Sequence, residues 1–242
     1  MLRRFVLMLF CLGLGGATPA GRPVDVALVL AVDVSSSVDE TRFRLQQSGY
    51  AEAFRNPAVQ AALLSGPQHA VAVTYVQWAG AKSQHVAVAW TLVQSEAEAQ
   101  DLADAIEATA RLDEGSTSIS GAIGFAMALF DTSPYASDRR VIDVSGDGSN
   151  NSGRLANLAR DEAVAAGITI NGLPILAVEA ELDRYYRDNV IGGPGAFLVS
   201  ATNFSTFAAA ITNKLVLEVA TIPGTSRLVL AKGGRGGRRS GG

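Results

Sequence analysis

Residues 24–37, VDVALVLAVDVSSS, constrain the fold more than any other stretch. Val24 to Val32 is short, rich in β-branched residues and almost free of charge, the pattern of a strand buried on both faces. Such a strand needs a layer of structure on each side, which points to a parallel sheet between helices. At its carboxyl end Asp33, Ser35 and Ser37 stand at alternate positions. Side chains two apart on an extended chain share a face. One carboxylate and two hydroxyls so placed suit a hard, oxygen-preferring cation such as Mg²⁺. Ser and Asp are also common in turns and helix caps, so this stretch alone leaves both readings open.

The remaining pattern repeats the alternation. Apolar runs at 69–78, 84–90, 139–145, 168–176 and 196–200 are predicted strands. Helices are predicted for about sixteen residues after Asp39, and over 58–64, 94–110, 119–130, 153–166, 183–190 and 203–219. The short turn Ala79-Gly80-Ala81-Lys82 joins two of the strands as a hairpin, which adds one antiparallel edge strand. The expected fold is therefore α/β: a doubly wound, mostly parallel sheet of about six strands, with helices on both faces. A chain of 242 residues, 48% hydrophobic, is long enough for one substantial core.

The two ends differ from the body. Arg3 and Arg4 precede the apolar run Phe5–Leu14, and small residues follow up to Ala20. That order is the signature of a signal peptide over residues 1–20, so the protein is expected to be exported, periplasmic or secreted. No later stretch approaches membrane-spanning length without charge. Cys11 is the only cysteine, so the mature chain is expected to lack disulfides and thiolate ligands. Residues 21–222 form the expected domain, and residues 223–242 are a Gly- and Arg-rich segment expected to be flexible. Residues 21–226 carry 13 Lys and Arg against 23 Asp and Glu, a net charge of −10. An acidic body argues against nucleic acid as a partner.

In an open α/β sheet, ligands bind outside the carboxyl ends of the strands, where the strand order reverses. Three loops are expected to meet there: Asp33–Ser37, Gly115-Ser116-Thr117 and Gly146-Asp147-Gly148. Asp33-Val-Ser35-Ser-Ser37, Thr117 within Gly-Ser-Thr-Ser-Ile-Ser-Gly-Ala-Ile, and Asp147 within Ser-Gly-Asp-Gly resemble the metal-ion-dependent adhesion site of von Willebrand factor type A domains. The resemblance covers residues 24–220. The phrases DVSSSVDE and RRVIDVSGDGSNN also resemble a family of exported bacterial proteins of this type whose function is uncharacterised.

The resemblance implies that the hydroxyls of Ser35, Ser37 and Thr117 bind an ion directly, and that Asp33 and Asp147 hold it directly or through water. The implied ion is Mg²⁺, with Mn²⁺ or Ca²⁺ as alternatives. An open coordination position would draw a carboxylate from a protein or peptide partner. Two departures stand out: Gly146 where Thr often precedes the aspartate, and Ser116 where Gly often precedes the threonine. Asp143, inside a predicted strand, is expected to pair with Arg139 or Arg140 or to accept backbone hydrogen bonds.

The remaining candidates favour structural roles. Asp39 and Glu40 are expected to cap a helix rather than hold a second ion. Trp78 is either packed or on the rim of the binding face. His69 and His85 sit at predicted strand starts, remote from the expected site, so Ser-His-Asp catalysis lacks a base. Gly192-Gly-Pro-Gly195 precedes a strand rather than a helix and is expected to be a turn. The functional expectation is an exported, metal-dependent binding module and not an enzyme. The alternatives are a metal-dependent hydrolase built on the same aspartates, and a structural envelope domain stabilised by an ion.

Overall fold

The computed structural model describes residues 21–220. The signal peptide and the Gly/Arg-rich segment expected from the sequence lie outside the described residues. In chain order the elements are β1 (Arg22–Pro23), β2 (Val26–Asp33), α1 (Glu40–Arg55), α2 (Pro57–Leu63), β3 (Val71–Trp78), β4 (Gln84–Val93) and α3 (Glu96–Glu107). There follow α4 (Ile119–Asp131), β5 (Tyr135–Ala136), β6 (Arg140–Gly146), α5 (Ala156–Ala165), β7 (Ile168–Pro174), α6 (Leu182–Asn189) and α7 (Phe207–Ala220). Among the described residues no helix is long and apolar enough to cross a membrane.

The main sheet has five strands in the order β4-β3-β2-β6-β7. β2 pairs in parallel with β3 on one side and β6 on the other, and β3 pairs antiparallel with β4. All eight residues of β2 are buried, as are all eight of β3. The period of two divides β2 between two cores. Val26, Leu28, Leu30 and Val32 pack with Phe43, Tyr50, Leu102 and Ile211 on the face covered by α1, α3 and α7. Ala27, Val29 and Ala31 pack with Ile119, Ile123, Ala159 and Tyr186 under α4, α5 and α6. Each large apolar side chain fully buried in these layers contributes about 1.5–3 kcal/mol, which offsets chain entropy.

The expected fold is present, with one reduction. The sixth predicted strand, 196–200, is not a full strand. It runs beside β7 through the isolated bridges Gly172↔Leu198 and Ile175↔Ala201. Gly192-Gly-Pro-Gly195 places this segment, and Phe197 N–H spends a hydrogen bond on the Asn171 side chain instead of extending a ladder. A short parallel pair, β1 with β5, was not expected and lies at the amino-terminal end of the sheet strands.

Asp143 does not pair with Arg139 or Arg140. It faces α7, where Lys214 Nζ lies 2.7 Å from Asp143 Oδ1 and 2.5 Å from Glu218 Oε2, all three side chains being buried. Asn171 Nδ2 donates to Glu218 Oε1 at 2.8 Å. The sequence expectation failed because it looked for a neighbour along the strand, whereas a buried strand residue finds its partner on the covering helix. Arg139 instead donates to the carbonyl of Glu218 at 2.8 Å, tying the start of β6 to the end of α7.

Candidate metal centre

β2 runs to β3 on one side, and the chain later returns to place β6 on the other side of β2, so the strand order reverses between β2 and β6. Asp33 ends β2 and Asp147 follows β6, which puts both carboxylates at that reversal. The loop before α4 supplies Thr117, and Ser118 caps that helix by accepting from Gly121 N–H. All five residues expected from the sequence therefore converge. Ser37 Oγ donates to Asp147 Oδ1 at 2.5 Å, Ser35 Oγ lies 3.3 Å from Ser37 Oγ, and Thr117 Oγ1 donates to Ser35 Oγ at 3.3 Å. Asp33 Oδ1 accepts from Ser35 N–H at 2.7 Å. Asp33, Ser35, Thr117 and Asp147 are buried, while Ser37 is half-buried.

The second oxygen of Asp33, Oδ2, is buried and has no partner. Burial pushes the Asp33 carboxyl up to about 7; the nearby Asp147 charge adds to the rise, and the hydrogen bonds from Ser35 oppose it. Asp147 is raised as well, by burial first, against the lowering effect of Ser37 and Arg42. Two carboxylates forced close together out of water call for positive charge. Among the described residues no group of three or more His, Cys, Asp or Glu is placed to hold a metal ion. An ion here would depend on hydroxyls, which suits Mg²⁺-like cations and not soft metals. By donating to Asp147, Ser37 leaves its lone pairs free for a cation, as an outer carboxylate does for a ligand. The residues present thus fit a hard divalent ion.

Several groups support these side chains without having been expected. Arg42, in the first turn of α1, donates to Ser37 O at 2.6 Å and reaches Asp147 Oδ2 at 3.4 Å. Gln46 Nε2 donates to the carbonyl of Asp33 at 3.0 Å. Asn151 pairs with the backbone of Thr117, accepting from Thr117 N–H at 2.8 Å and donating to Thr117 O at 2.9 Å. Asn150 accepts from Ser120 N–H at 3.0 Å. The loop Asp147–Asn151 thereby holds the Thr117 loop. Glu179 caps the same loop, accepting from Ser149 N–H at 2.9 Å and Ser149 Oγ at 2.5 Å. One signal was available for Arg42: it stands three residues after a helix cap, within reach of the loop before the helix.

Gly146 has a steric reason. A Cβ there would stand 2.8 Å from Asp33 Oδ2 and 3.1 Å from the hydroxyl of Tyr186. The threonine common at this position would collide with the site carboxylate. Asp39 is an N-cap, accepting from Arg42 N–H at 2.9 Å, and Glu40 pairs with Arg44, so neither faces the ion position. Trp78 is fully buried and not on a rim. His85 needs a correction. It begins β4, but β4 is antiparallel, so its start lies beside Gln77 and Trp78 at the same end as the site. There it meets Asp113 at 3.1 Å, on the open edge strand and separated from Asp33 by β3.

A family model described as "Protein of unknown function (DUF1194)" matches residues 23–223. No curated protein matches the sequence. Among solved structures, proximal thread matrix protein 1 from the mussel byssus is similar with a TM-score of 0.63 and 14% identity, covering 83% of this chain and 49% of its own. A further structure of that protein, at TM-score 0.56 and 16% identity, has a zinc-occupied MIDAS motif (metal-ion-dependent adhesion site) and covers 80% of this chain and 45% of its own. A von Willebrand factor type A protein from Catenulispora acidiphila gives 0.57 and 18% identity, covering 81% and 43%. The vWF domain of the type V pili tip protein Mfa5 from Porphyromonas gingivalis gives 0.54 and 12% identity, covering 84% of this chain and 98% of that domain. The chain spans about half the length of the first of these structures.

Proposed function

The chain belongs to the DUF1194 family and has the von Willebrand factor type A fold, and from that footing we propose that it is an exported binding module that captures an acidic group of a partner protein through a divalent ion. The proposed ligands are Ser35, Ser37 and Thr117 through their hydroxyls, with Asp33 and Asp147 directly or through water; Mg²⁺ is the proposed ion. The observation that carries this reading is the convergence of five oxygen-bearing side chains from three loops beside a buried carboxylate oxygen without a partner. The ion, when bound, supplies positive charge at an open position. Asp33 and Asp147 balance its two charges, and the hydroxyls add none, so a partner carboxylate completes the shell without opposing a surplus of negative charge.

Export is proposed from the charged-apolar-small order of residues 1–20. The similar solved structures include a pili tip domain and a byssus matrix protein, which supports a binding role over catalysis. The test is thermal unfolding in Mg²⁺ and in EDTA, for wild type and Asp33→Ala. At a hundredfold excess over Kd, an ion bound only by the folded state stabilises by about 2.7 kcal/mol. That is roughly 5–11 °C for a domain of about 200 residues. Wild type is expected to show the shift and Asp33→Ala to lose it. An identical wild-type midpoint in Mg²⁺ and EDTA, or a full response in Asp33→Ala, would refute the assignment.

A further inference from the structure

Arg111 lies in the segment between α3 and α4, largely buried, and bonds the ligand loop that follows β2. Its Nη2 donates to Val34 O at 2.9 Å and to Ser35 O at 3.1 Å. Its ion pair with Glu114, at 3.9 Å, is long, and Glu114 is exposed, so that pair holds the guanidinium weakly. The arginine is itself braced from behind. Gln77, fully buried on β3, donates to Ala110 O at 2.8 Å and accepts from Leu112 N–H at 2.8 Å. The backbone on each side of Arg111 is thus tied to the sheet. The same segment meets the ligand loop again: Ser36 N–H donates to Gly115 O at 2.9 Å, and Gly115 N–H donates to Ser36 Oγ at 3.1 Å. It then supplies Thr117, whose Oγ1 lies 3.3 Å from Ser35 Oγ.

β2 ends at Asp33, and Val34 and Ser35 are buried, so their carbonyls need donors from outside the strand ladder. Ser35 N–H donates to Asp33 Oδ1 at 2.7 Å, and Ser35 O also accepts from Val38 N–H at 2.9 Å. The Val34 and Ser35 carbonyls belong to the two peptide planes that flank Ser35. One guanidinium nitrogen bonded to both fixes those planes, and with them the direction in which the Ser35 hydroxyl leaves the backbone. We propose that Arg111 is a positioning residue of the metal site: acting from the segment that carries Thr117, it sets the spacing of two hydroxyl ligands that come from different loops. This inference rests on the metal-site reading above. The charge of Arg111 by itself opposes a cation, so loss of charge and loss of positioning have opposite effects on ion binding.

The experiment is a calorimetric Mg²⁺ titration of the full chain, below the unfolding midpoint in EDTA, for wild type, Arg111→Met, Arg111→Lys and Arg139→Met. Arg139 donates to the carbonyl of Glu218 at 2.8 Å at the opposite end of the sheet, so its variant loses a comparable bond far from the site. In Arg111→Met the half-saturating Mg²⁺ concentration is expected to rise about tenfold, the lower end for losing a group that orients a metal ligand. Arg111→Lys keeps the charge without the planar fork and is expected to fall between the two. Arg139→Met is expected to unfold at a lower temperature in EDTA and to keep the wild-type half-saturation. Half-saturation in Arg111→Met at or below the wild-type value would overturn the inference while leaving the metal site intact. A rise of the same size in Arg139→Met would also overturn it, by showing that the effect follows general stability. If Arg111→Met does not fold, Arg111→Lys decides, and wild-type half-saturation there would overturn the inference. Absence of any Mg²⁺ response in wild type would overturn the metal-site reading itself, and this inference with it.

Discussion

Lys214→Met tests how the second buried charge cluster is balanced. The lysine is fully buried between Asp143 on β6 and Glu218 one turn further along α7, at 2.7 and 2.5 Å. Methionine keeps the length of the side chain and removes its charge, leaving two carboxylates facing each other in the core. Breaking a buried ion pair by removing one partner costs about 3–5 kcal/mol. For a domain near 200 residues this lowers the unfolding midpoint by roughly 6–20 °C. The loss also has a defined pH dependence. Burial pushes Asp143 up to about 7 from an ordinary value of 3.8, and the Lys214 charge opposes that rise. A carboxyl raised in the folded state contributes stability that is complete below about pH 4 and is lost as pH rises through about 7. Without Lys214 the folded-state value climbs further, so the deficit of the variant grows from pH 5.5 to pH 8. Urea unfolding at the two pH values measures it. The triple variant Asp143→Asn, Lys214→Met, Glu218→Gln removes the charges together and is expected to recover most of the loss. A Lys214→Met deficit below about 1 kcal/mol at pH 8, or one equal at both pH values, would refute the reasoning.

Two further outcomes are expected at the proposed metal centre. Gly146→Ala forces a Cβ to within 2.8 Å of Asp33 Oδ2, so the carboxylate must move. Stability in EDTA should fall by about 1–3 kcal/mol, and half-saturation by Mg²⁺ should rise about tenfold or more; an unchanged titration would show that Asp33 does not need its position. Arg42 places a fixed positive charge 3.4 Å from Asp147 Oδ2, with a third of its side chain exposed. Arg42→Gln should therefore tighten Mg²⁺ binding about threefold, a small gain because solvent screens the guanidinium, while Arg42→Lys keeps the wild-type value. Calorimetric titration of the three proteins distinguishes this charge effect from loss of the Ser37 contact, which would weaken binding.

The fold was largely legible because β2 announces its environment: an apolar run that must be buried on both faces leaves few alternatives. The five ligand candidates were legible for a related reason. Each sits just after a strand or just before a helix, so local pattern and loop position agree. What escaped was contact across the fold. Lys214 lies in a helix whose pattern gives no sign that a lysine faces inward, and its partner Asp143 is seventy-one residues away. Tyr186 belongs to a short polar helix with nothing to mark a buried hydroxyl. His85 was misplaced by direction alone: the hairpin was recognised, but its antiparallel strand starts where the parallel strands finish. Gly146 looked like a departure from a motif until the Asp33 side chain lay across it.

One consequence follows from the way α7 and β1 are anchored. Arg139 binds the last turn of α7 at the start of β6, and Val24 N–H donates to Ala136 O just after β1, also near the strand starts. The described chain therefore enters and leaves at one pole, and Asp33 and Asp147 lie at the other. The proposed ion position therefore stays clear of both ends of the described chain, so a partner approaching it meets the loops after β2 and β6 and not the chain ends.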